Sequence, residues 1–334
     1  MGYNIIYKYR IQEDVMDIKN VAVLGTGTMG NGIVQLCAES GLNVNMFGRT
    51  DASLERGFTS IKTSLKNLEE KGKIKTNISK EILKRIKGVK TIEEAVEGVD
   101  FVIECIAEDL ELKQEVFSKL DEICAPEVIL ASNTSGLSPT DIAINTKHPE
   151  RVVIAHFWNP PQFIPLVEVV PGKHTDSKTV DITMDWIEHI GKKGVKMRKE
   201  CLGFIGNRLQ LALLREALYI VEQGFATAEE VDKAIEYGHG RRLPVTGPIC
   251  SADLGGLDIF NNISSYLFKD LCNDTEPSKL LKSKVDGGNL GSKTGKGFYN
   301  WTPEFLQKKQ NERIQLLMDF LEKDKNDKSI ERNI

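Results

Sequence analysis

Short apolar runs alternate with helical patterns through the first two thirds of the chain. An apolar run at residues 21–24 leads directly into the segment GTGTMG, and apolar residues then recur at helical spacing up to Gly41. A second short strand is predicted at residues 44–47. This order of strand, glycine turn, helix and strand predicts a βαβ unit, and therefore a parallel sheet.

Further buried strands are indicated by continuous apolar runs, and one more helix by a periodic segment at residues 180–190. The predicted strands cover residues 99–106, 128–131, 152–156, 166–170 and 195–197. Residues 53–87 differ, because they are Lys-rich, follow helical spacing and are interrupted at Gly72. They predict a charged helical hairpin that stands away from the sheet.

The pattern changes after residue 200. Residues 205–221 are apolar almost all round, which predicts a helix buried on most sides. Thr227 and Glu230 have the spacing of a capping box, and no strand-like alternation follows up to about residue 300. The tail after Trp301 is polar and charged, which predicts a peripheral or frayed segment.

The predicted fold class is α/β: a Rossmann-type doubly wound sheet domain followed by an all-helical C-terminal domain. We expect four parts with different roles. They are an N-terminal extension at 1–16, the sheet domain at 17–200 with the hairpin at about 53–87, the helical domain at 201–301, and the polar tail at 302–334.

Composition narrows the class of protein. The 334 residues are 40% hydrophobic and 28% charged, as in ordinary globular proteins. The net charge of −4 and the lack of a Lys/Arg block argue against nucleic acid as a partner. No apolar run approaches the roughly 18 residues that span a bilayer, and the first residues lack a signal peptide's apolar core. We therefore expect a cytoplasmic protein without a membrane partner.

The six cysteines form no C-x-x-C pair, and most lie in apolar runs. They are interpreted as small buried residues of a reduced protein. No H-E-x-x-H, no Cys/His cluster and no G-x-S-x-G is present in the sequence, so neither a metal site nor a serine hydrolase is predicted.

The glycine turn indicates dinucleotide binding because it stands between a strand and a helix. Gly25 permits the tight turn, Gly27 lets the backbone approach a pyrophosphate, and Gly30 lets the helix pack closely on the strand. Thr28 and Met29 begin the helix, whose N-terminus supplies N–H donors for phosphates. A plain strand–helix turn does not need glycine at all three places.

The end of the second strand leaves the choice between NAD and NADP open. An Asp or Glu at this place binds the ribose 2′-hydroxyl of NAD. This chain has Gly48-Arg49-Thr50 instead, and Asp51 is the first acid. Arg49 suits a 2′-phosphate, because a guanidinium pairs with phosphate through two hydrogen bonds. The alternative is an exposed Arg49, with NAD bound through Asp51 or without an acid.

Three further segments carry candidate catalytic groups. Ser135 lies in a polar loop after a predicted strand, where open α/β sheets bind ligands, although such a loop is also an ordinary turn. His156 ends a predicted strand, and Glu168 stands inside an apolar one, where an unpaired carboxylate is costly. A His–Glu pair suits proton abstraction from an alcohol, whereas His156 alone is often a structural residue. Asn207 opens the long helix, either as a substrate ligand or as a helix cap.

Taken together, these motifs resemble the 3-hydroxyacyl-CoA dehydrogenase family. They are GTGTMG, IECIAEDLELK, SNTSGL, AHFWNP, LVEVV, GFIGNR and SKTGKGFY, and the resemblance covers about residues 17–301. It implies a Rossmann domain with an inserted helical hairpin, a helical domain that forms homodimers, and a small-molecule substrate, an acyl-CoA.

The resemblance also implies roles for single residues. His156 matches the general base and Glu168 the carboxylate that orients it, while Ser135 and Asn207 match residues that hold the substrate oxygen and assist the His. Four residues match positions that line the NAD or NADP cofactor, and two in the hairpin match positions that contact coenzyme A. The cofactor positions are Glu108, Lys113, Asn159 and Lys293; the coenzyme A positions are Ser64 and Lys71.

Two departures bear on specificity. Gly48 stands where the family usually has Asp, and NTSG replaces NTSS. The segments YGHGRRLPVTGP and HFWNPPQFIPLVEVVPG are closer to the branch of gulonate 3-dehydrogenase and lambda-crystallin, and carnitine dehydrogenase lies nearby. That branch suggests a free 3-hydroxy acid as an alternative substrate, with Arg241 and Arg242 as a carboxylate site or as plain surface charge. A non-catalytic protein of crystallin type is a second alternative.

Overall fold

The computed structural model describes residues 18–75 and 77–326. The predicted extension at 1–16 and the last eight residues of the predicted tail lie outside these ranges. The described chain forms two compact units. One unit contains the described residues up to Phe204 together with those from Leu317 onward, and Ile205–Leu316 form the other.

Strands and helices alternate along the first unit. The strands are β1 (Asn20–Leu24), β2 (Asn43–Phe47), β3 (Ile86–Val89), β4 (Phe101–Glu104), β5 (Ile129–Ser132), β6 (Val152–Phe157), β7 (Leu166–Pro171) and β8 (Lys193–Lys196). The helices are α1 (Thr28–Glu39), α2 (Asp51–Glu70), α3 (Ile78–Lys84), α4 (Ile92–Val96), α5 (Leu110–Ile123), α6 (Pro139–Ile142) and α7 (Ser177–His189).

Within the described residues, the strands form one sheet in the order β3-β2-β1-β4-β5-β6-β7-β8. Neighbours from β3 to β6 are parallel, β7 is antiparallel to β6, and β8 is parallel to β7. The order reverses between β1 and β4, the place where doubly wound sheets bind their ligands at the carboxyl ends of the strands. The predicted Rossmann-type fold is confirmed.

Central strands are apolar throughout because helices cover both faces of the sheet. All four residues of β4 and of β5 are buried. One apolar cluster packs α1, α2 and α7 on one face, and a second packs α4 and α5 on the other. Continuous apolar runs are typical of strands buried on both faces, and for this reason the central strands could be predicted from the sequence.

The predicted hairpin differs from the structure in two respects. Residues 86–89 form the edge strand β3, whose four residues carry too short a pattern to be distinguished from the preceding helix. In addition, α2 does not stand away from the sheet. Leu54, Ile61 and Leu65 on one face of α2 are buried in the main apolar cluster.

The second unit is helical. It contains α8 (Gly206–Glu222), α9 (Ala228–Tyr237), α10 (Pro248–Gly255), α11 (Leu257–Leu267), α12 (Lys279–Asp286) and the first part of α13 (Pro303–Asn326). The predicted capping box of α9 is confirmed, since Thr227 and Glu230 cap each other's backbone N–H. The predicted burial of α8 is wrong for the single chain: Leu209 and Leu211 are 55% and 59% exposed.

The polar tail was expected to be peripheral or frayed. Residues up to 326 form the long helix α13, most of which is exposed. Met318 on this helix is buried. Lys73 forms an ion pair with Glu322, and the Lys71 ammonium lies 3.9 Å from the Met318 sulfur. The end of α13 therefore packs on the end of α2, a long-range contact that the composition of the tail does not indicate.

The cysteines were expected to be buried, and no membrane-spanning helix was expected. Cys37 and Cys124 are buried as expected, whereas Cys201 and Cys250 are exposed. Among the helices at 18–75 and 77–326, none combines the length and apolar character needed to cross a membrane.

Candidate active site

The glycine turn joins β1 to α1 at the point where the strand order reverses. Gly25 has a φ of +130°, and a Cβ there would lie 2.6 Å from the Cys105 carbonyl oxygen. A Cβ on Gly30 would lie 2.1 Å from the carbonyl oxygen of Gly25. Both positions require glycine, since real Cβ atoms do not approach a carbonyl oxygen so closely.

Gly27 is different, because a Cβ at this position would meet no atom of the described chain within 4 Å. Gly27 is also the N-cap of α1 and makes no side-chain cap. The open space and the helix N-terminus suit an anionic group that approaches the backbone here. Thr28 is exposed and Met29 half-buried at the start of α1, and Arg49 is exposed directly after β2.

His156 and Glu168 face each other across β6 and β7, whose antiparallel register pairs these two residues. The distance from His156 Nδ1 to Glu168 Oε2 is 2.9 Å, and the two residues are 5% and 1% exposed. Trp158 Nε1 donates a second hydrogen bond, 3.2 Å long, to the same carboxylate oxygen. Because the carboxylate is the acceptor, Nδ1 carries the proton and Nε2 is the nitrogen that can accept one.

Ser135 lies in the exposed loop after β5, and hydrogen bonds from Thr134, Ser135 and Phe157 hold that loop in place. Glu108 Oε1 accepts hydrogen bonds from Thr134 Oγ1 at 2.5 Å and from the Ser135 backbone N–H at 2.9 Å. Asn133 Oδ1 accepts from the Phe157 backbone N–H at 2.8 Å, which ties the loop to the residue after His156. The loop and the histidine are thus positioned relative to each other by hydrogen bonds that side chains accept from the backbone.

Behind this loop lies a fully buried ion pair. Lys113 Nζ is 2.6 Å from Glu104 Oε1, and the two side chains are 1% and 0% exposed. Glu104 also accepts from the Ile106 backbone N–H and the Ser132 hydroxyl, both at 2.6 Å. Lys113 lies 3.5 Å from Glu108 Oε2 and so connects the ion pair to the loop.

The hairpin loop between β6 and β7 is held in a similar way. Lys192 is buried, and its ammonium donates to the carbonyl oxygens of Pro161 at 2.5 Å and Ile164 at 3.0 Å. Asn159, the predicted cofactor residue in this loop, is exposed.

The other predicted residues lie further along the chain. Ser64 is half-buried on α2, and Lys71 is exposed at its end. Asn207 is the second residue of α8 and not its cap, which is Ile205, so the helix-cap interpretation is wrong. Lys293 is exposed in a turn of the second unit, and the Arg241 guanidinium lies 4.9 Å from the centre of the Tyr237 ring.

Sequence reasoning missed two residues of this arrangement, Glu104 and Trp158. Glu104 carries the same signal that singled out Glu168, a carboxylate inside an apolar strand, in the run VIEC. The sequence gives no comparable signal for Trp158. Its indole N–H donates to Glu168 only because β6 and β7 pair in the folded chain. In the part of the chain that the structure describes, no group of three His, Cys, Asp or Glu side chains is placed to hold a metal ion.

Comparisons with known proteins agree with this geometry. Residues 20–201 match the model of the 3-hydroxyacyl-CoA dehydrogenase NAD binding domain, and residues 203–301 match that of the family's C-terminal domain. The prediction of a nicotinamide-dependent oxidoreductase acting on a CH–OH group is confirmed at the level of the family.

Some relatives are named for a free acid and others for a coenzyme A thioester. A 5-formyl-3-hydroxy-2-methylpyridine 4-carboxylate 5-dehydrogenase of Mesorhizobium japonicum is 34% identical over 90% of this chain and 96% of its own length. A probable 3-hydroxybutyryl-CoA dehydrogenase of Bacillus subtilis is 39% identical over 86% of this chain and 98% of its own length.

A solved structure of a 5-formyl-3-hydroxy-2-methylpyridine 4-carboxylic acid 5-dehydrogenase, described as an NAD+-dependent dismutase, is similar as well. It has a TM-score of 0.83 and 34% identity, covering 91% of this chain and 99% of its own. The glycine turn, the His–Glu pair and these matches over both units lead to one conclusion: the chain belongs to the 3-hydroxyacyl-CoA dehydrogenase family.

Proposed function

We propose that this protein interconverts a 3-hydroxyacyl and a 3-oxoacyl thioester of coenzyme A, with NAD or NADP as the hydride carrier. The buried hydrogen bond between His156 and Glu168 is the observation that carries this proposal. An alcohol gives up hydride readily only when a base removes its proton, and a histidine oriented by a carboxylate suits that task.

His156 Nε2 accepts the proton of the substrate's 3-hydroxyl in the direction of oxidation and returns it in the direction of reduction. Glu168 stabilises the positive charge that develops on the ring, and Trp158 holds the accepting oxygen of Glu168 in place. Ser135 holds the substrate oxygen, and the resemblance adds Asn207 as a further substrate residue. The nicotinamide, when bound, supplies the acceptor or donor of hydride.

The residues that fit the dinucleotide are those of the glycine turn, where the open space at Gly27 receives the pyrophosphate. Glu108 and Asn159 line the rest of the cofactor site, and the resemblance adds Lys293 as a further cofactor residue. Lys113 does not contact the cofactor, because its ammonium is buried against Glu104. It affects the site indirectly, through its ion pair with Glu108.

The thioester is the first candidate substrate because of the relative in Bacillus subtilis and because α2 offers Ser64 and Lys71 for coenzyme A. The test is the initial rate of acetoacetyl-CoA reduction by the parent protein and by His156→Asn. We expect His156→Asn to lose about 10²- to 10⁴-fold in kcat while dinucleotide binding is retained. His174→Gln, an exposed histidine, is the control and should leave the rate unchanged.

A near-normal rate in His156→Asn would contradict the assignment of the base. No reduction of the thioester by the parent protein would instead favour the second candidate, a free hydroxy acid. The similarity to the pyridine carboxylate dehydrogenase supports that candidate. Gulonate, carnitine and 3-hydroxybutyrate are the substrates to test next, with Arg241 and Arg242 as the proposed carboxylate site.

We also propose that the protein is a homodimer formed through its second unit. Leu209, Leu211 and Leu214 on α8 are 55%, 59% and 43% exposed, although α8 is apolar almost all round. Apolar surface of this extent on a folded chain marks an interaction surface. A second copy supplies a matching apolar surface, because closed symmetric dimers use the same patch on both subunits.

A further inference from the structure

The end of β2 is the place where Rossmann domains distinguish NAD from NADP, and in this chain the first position there is a closely packed glycine without a carboxylate. Gly48 follows β2 directly and is buried. A Cβ on Gly48 would lie 2.7 Å from Ser53 Oγ, 2.9 Å from Thr26 Cγ2 and 3.0 Å from Leu54 Cδ2. A side chain at position 48 would therefore require these three neighbouring side chains to shift.

Ser53 Oγ, the atom nearest to a Cβ on Gly48, is held by two hydrogen bonds at the start of α2. Ser53 Oγ donates to the Thr50 carbonyl oxygen at 2.7 Å and accepts from the Thr50 backbone N–H at 3.2 Å. The Thr50 hydroxyl in turn caps the Ser53 backbone N–H at 3.1 Å. This capping box places the first turn of α2 against the end of β2, in the space that an Asp side chain would need.

The nearest acid is already paired. Asp51 is the first residue of α2, and one of its carboxylate oxygens lies 3.2 Å from Lys90 Nζ. Arg49, by contrast, is exposed, and its side chain has no hydrogen bond or ion pair with any residue in the described ranges. The uncompensated charge beside the ribose position is therefore a guanidinium.

We propose that this protein binds NADP(H) in preference to NAD(H), with Arg49 as the ligand of the 2′-phosphate. The inference rests on the nicotinamide dinucleotide site of the proposed function. A guanidinium forms two parallel hydrogen bonds to a phosphate. Because Gly48 has no side chain, no carboxylate at this position repels the 2′-phosphate. A ribose 2′-hydroxyl, in contrast, finds no strand-end carboxylate at position 48 to accept its hydrogen bond.

The experiment measures dissociation constants of NADPH and NADH by fluorescence titration of the full chain without substrate. Arg49→Gln removes the charge and keeps a side chain of similar length. Arg56→Gln, an exposed arginine on α2, is the matched control. We expect the parent protein to bind NADPH more tightly than NADH. Arg49→Gln should weaken NADPH about 10- to 100-fold and change NADH by less than about twofold, because one charged hydrogen-bonded pair is lost.

Tighter binding of NADH than of NADPH by the parent protein would overturn the proposal, and so would equal weakening of both dinucleotides in Arg49→Gln. Binding without turnover separates this inference from the proposed function. A preference for NADPH in a protein that reduces no 3-oxoacyl substrate would support Arg49 and contradict the reaction. Failure to bind either dinucleotide would overturn both.

Discussion

Replacing Lys113 by Met tests whether the buried pair with Glu104 is a structural requirement of the site. The carboxylate of Glu104 is fully buried and would keep only two neutral donors, the Ile106 N–H and the Ser132 hydroxyl. Breaking a buried ion pair by removing one partner costs about 3–5 kcal/mol, because a charge remains without compensation. We therefore expect the free energy of unfolding to fall by about that amount.

The double variant Glu104→Gln/Lys113→Met distinguishes the cost of the stranded charge from the loss of packing. A neutral Gln can accept from the Ile106 N–H with its oxygen and donate to the Ser132 hydroxyl with its amide. We expect the double variant to unfold within about 1–2 kcal/mol of the parent protein. Urea unfolding followed by circular dichroism measures all three proteins, provided that the slope against denaturant stays constant.

Turnover should not recover together with stability. Lys113 also lies 3.5 Å from Glu108, which binds the Ser135 backbone, and the double variant leaves this carboxylate without its cation. We expect a stable double variant with a lowered kcat. A loss below about 1 kcal/mol in Lys113→Met, or a double variant no more stable than the single one, would refute the reasoning.

Three further predictions concern the glycine turn, acid stability and assembly. Gly30→Ala should lower stability by at least about 1–3 kcal/mol in thermal unfolding, because its Cβ meets a carbonyl oxygen, whereas Gly27→Ala should leave the unfolding temperature unchanged and weaken dinucleotide binding in titration. Equal stabilities of the two variants would contradict this. Burial raises the pKa of Asp121, but hydrogen bonds from Arg151 and neighbouring backbone outweigh it, so that the pKa is held below its ordinary value. A lowered carboxyl pKa stabilises the fold above the ordinary Asp pKa of about 3.9 and loses this contribution as the pH falls through the native pKa. Asp121→Asn should therefore cost about 3 kcal/mol at neutral pH in urea unfolding, and the difference from the parent should shrink toward pH 2; a constant difference is the contrary result. Finally, Leu211→Glu should convert a dimer into monomers in light scattering, and a monomeric parent protein would show that the exposed face of α8 has another partner.

The sheet could be predicted from the sequence because its strands are buried on both faces. Such strands read as continuous apolar runs, and β1, β4, β5, β6 and β7 all have this property. The edge strand β3 lacks it, and its four residues merge with the helical pattern before them. The order of α13 at the end of the chain could not be predicted, because the contact of Met318 with Lys71 joins residues far apart in the sequence.

The candidate site was predictable where a single residue conflicts with its surroundings. Glu168 stands out as a carboxylate in an apolar strand, and Gly25 and Gly30 as glycines around a strand–helix turn. A residue that joins the site only through strand pairing does not stand out from its neighbours in the sequence. Trp158 is an ordinary aromatic residue in sequence, and only the antiparallel register of β6 and β7 brings its indole to Glu168.

That register also has a consequence for engineering of the protein. The proposed base His156 and its partner Glu168 occupy one β-hairpin, residues 152–171, and are therefore encoded by a single short block of sequence. The segment between them, residues 158–165, is anchored from outside through its carbonyl oxygens by Lys192, a contact that depends on backbone and tolerates changes of side chain. Changes of side chain at residues 160–165 therefore leave the contacts of Lys192 in place, and a library restricted to that segment varies the loop while it keeps Trp158 and Asn159.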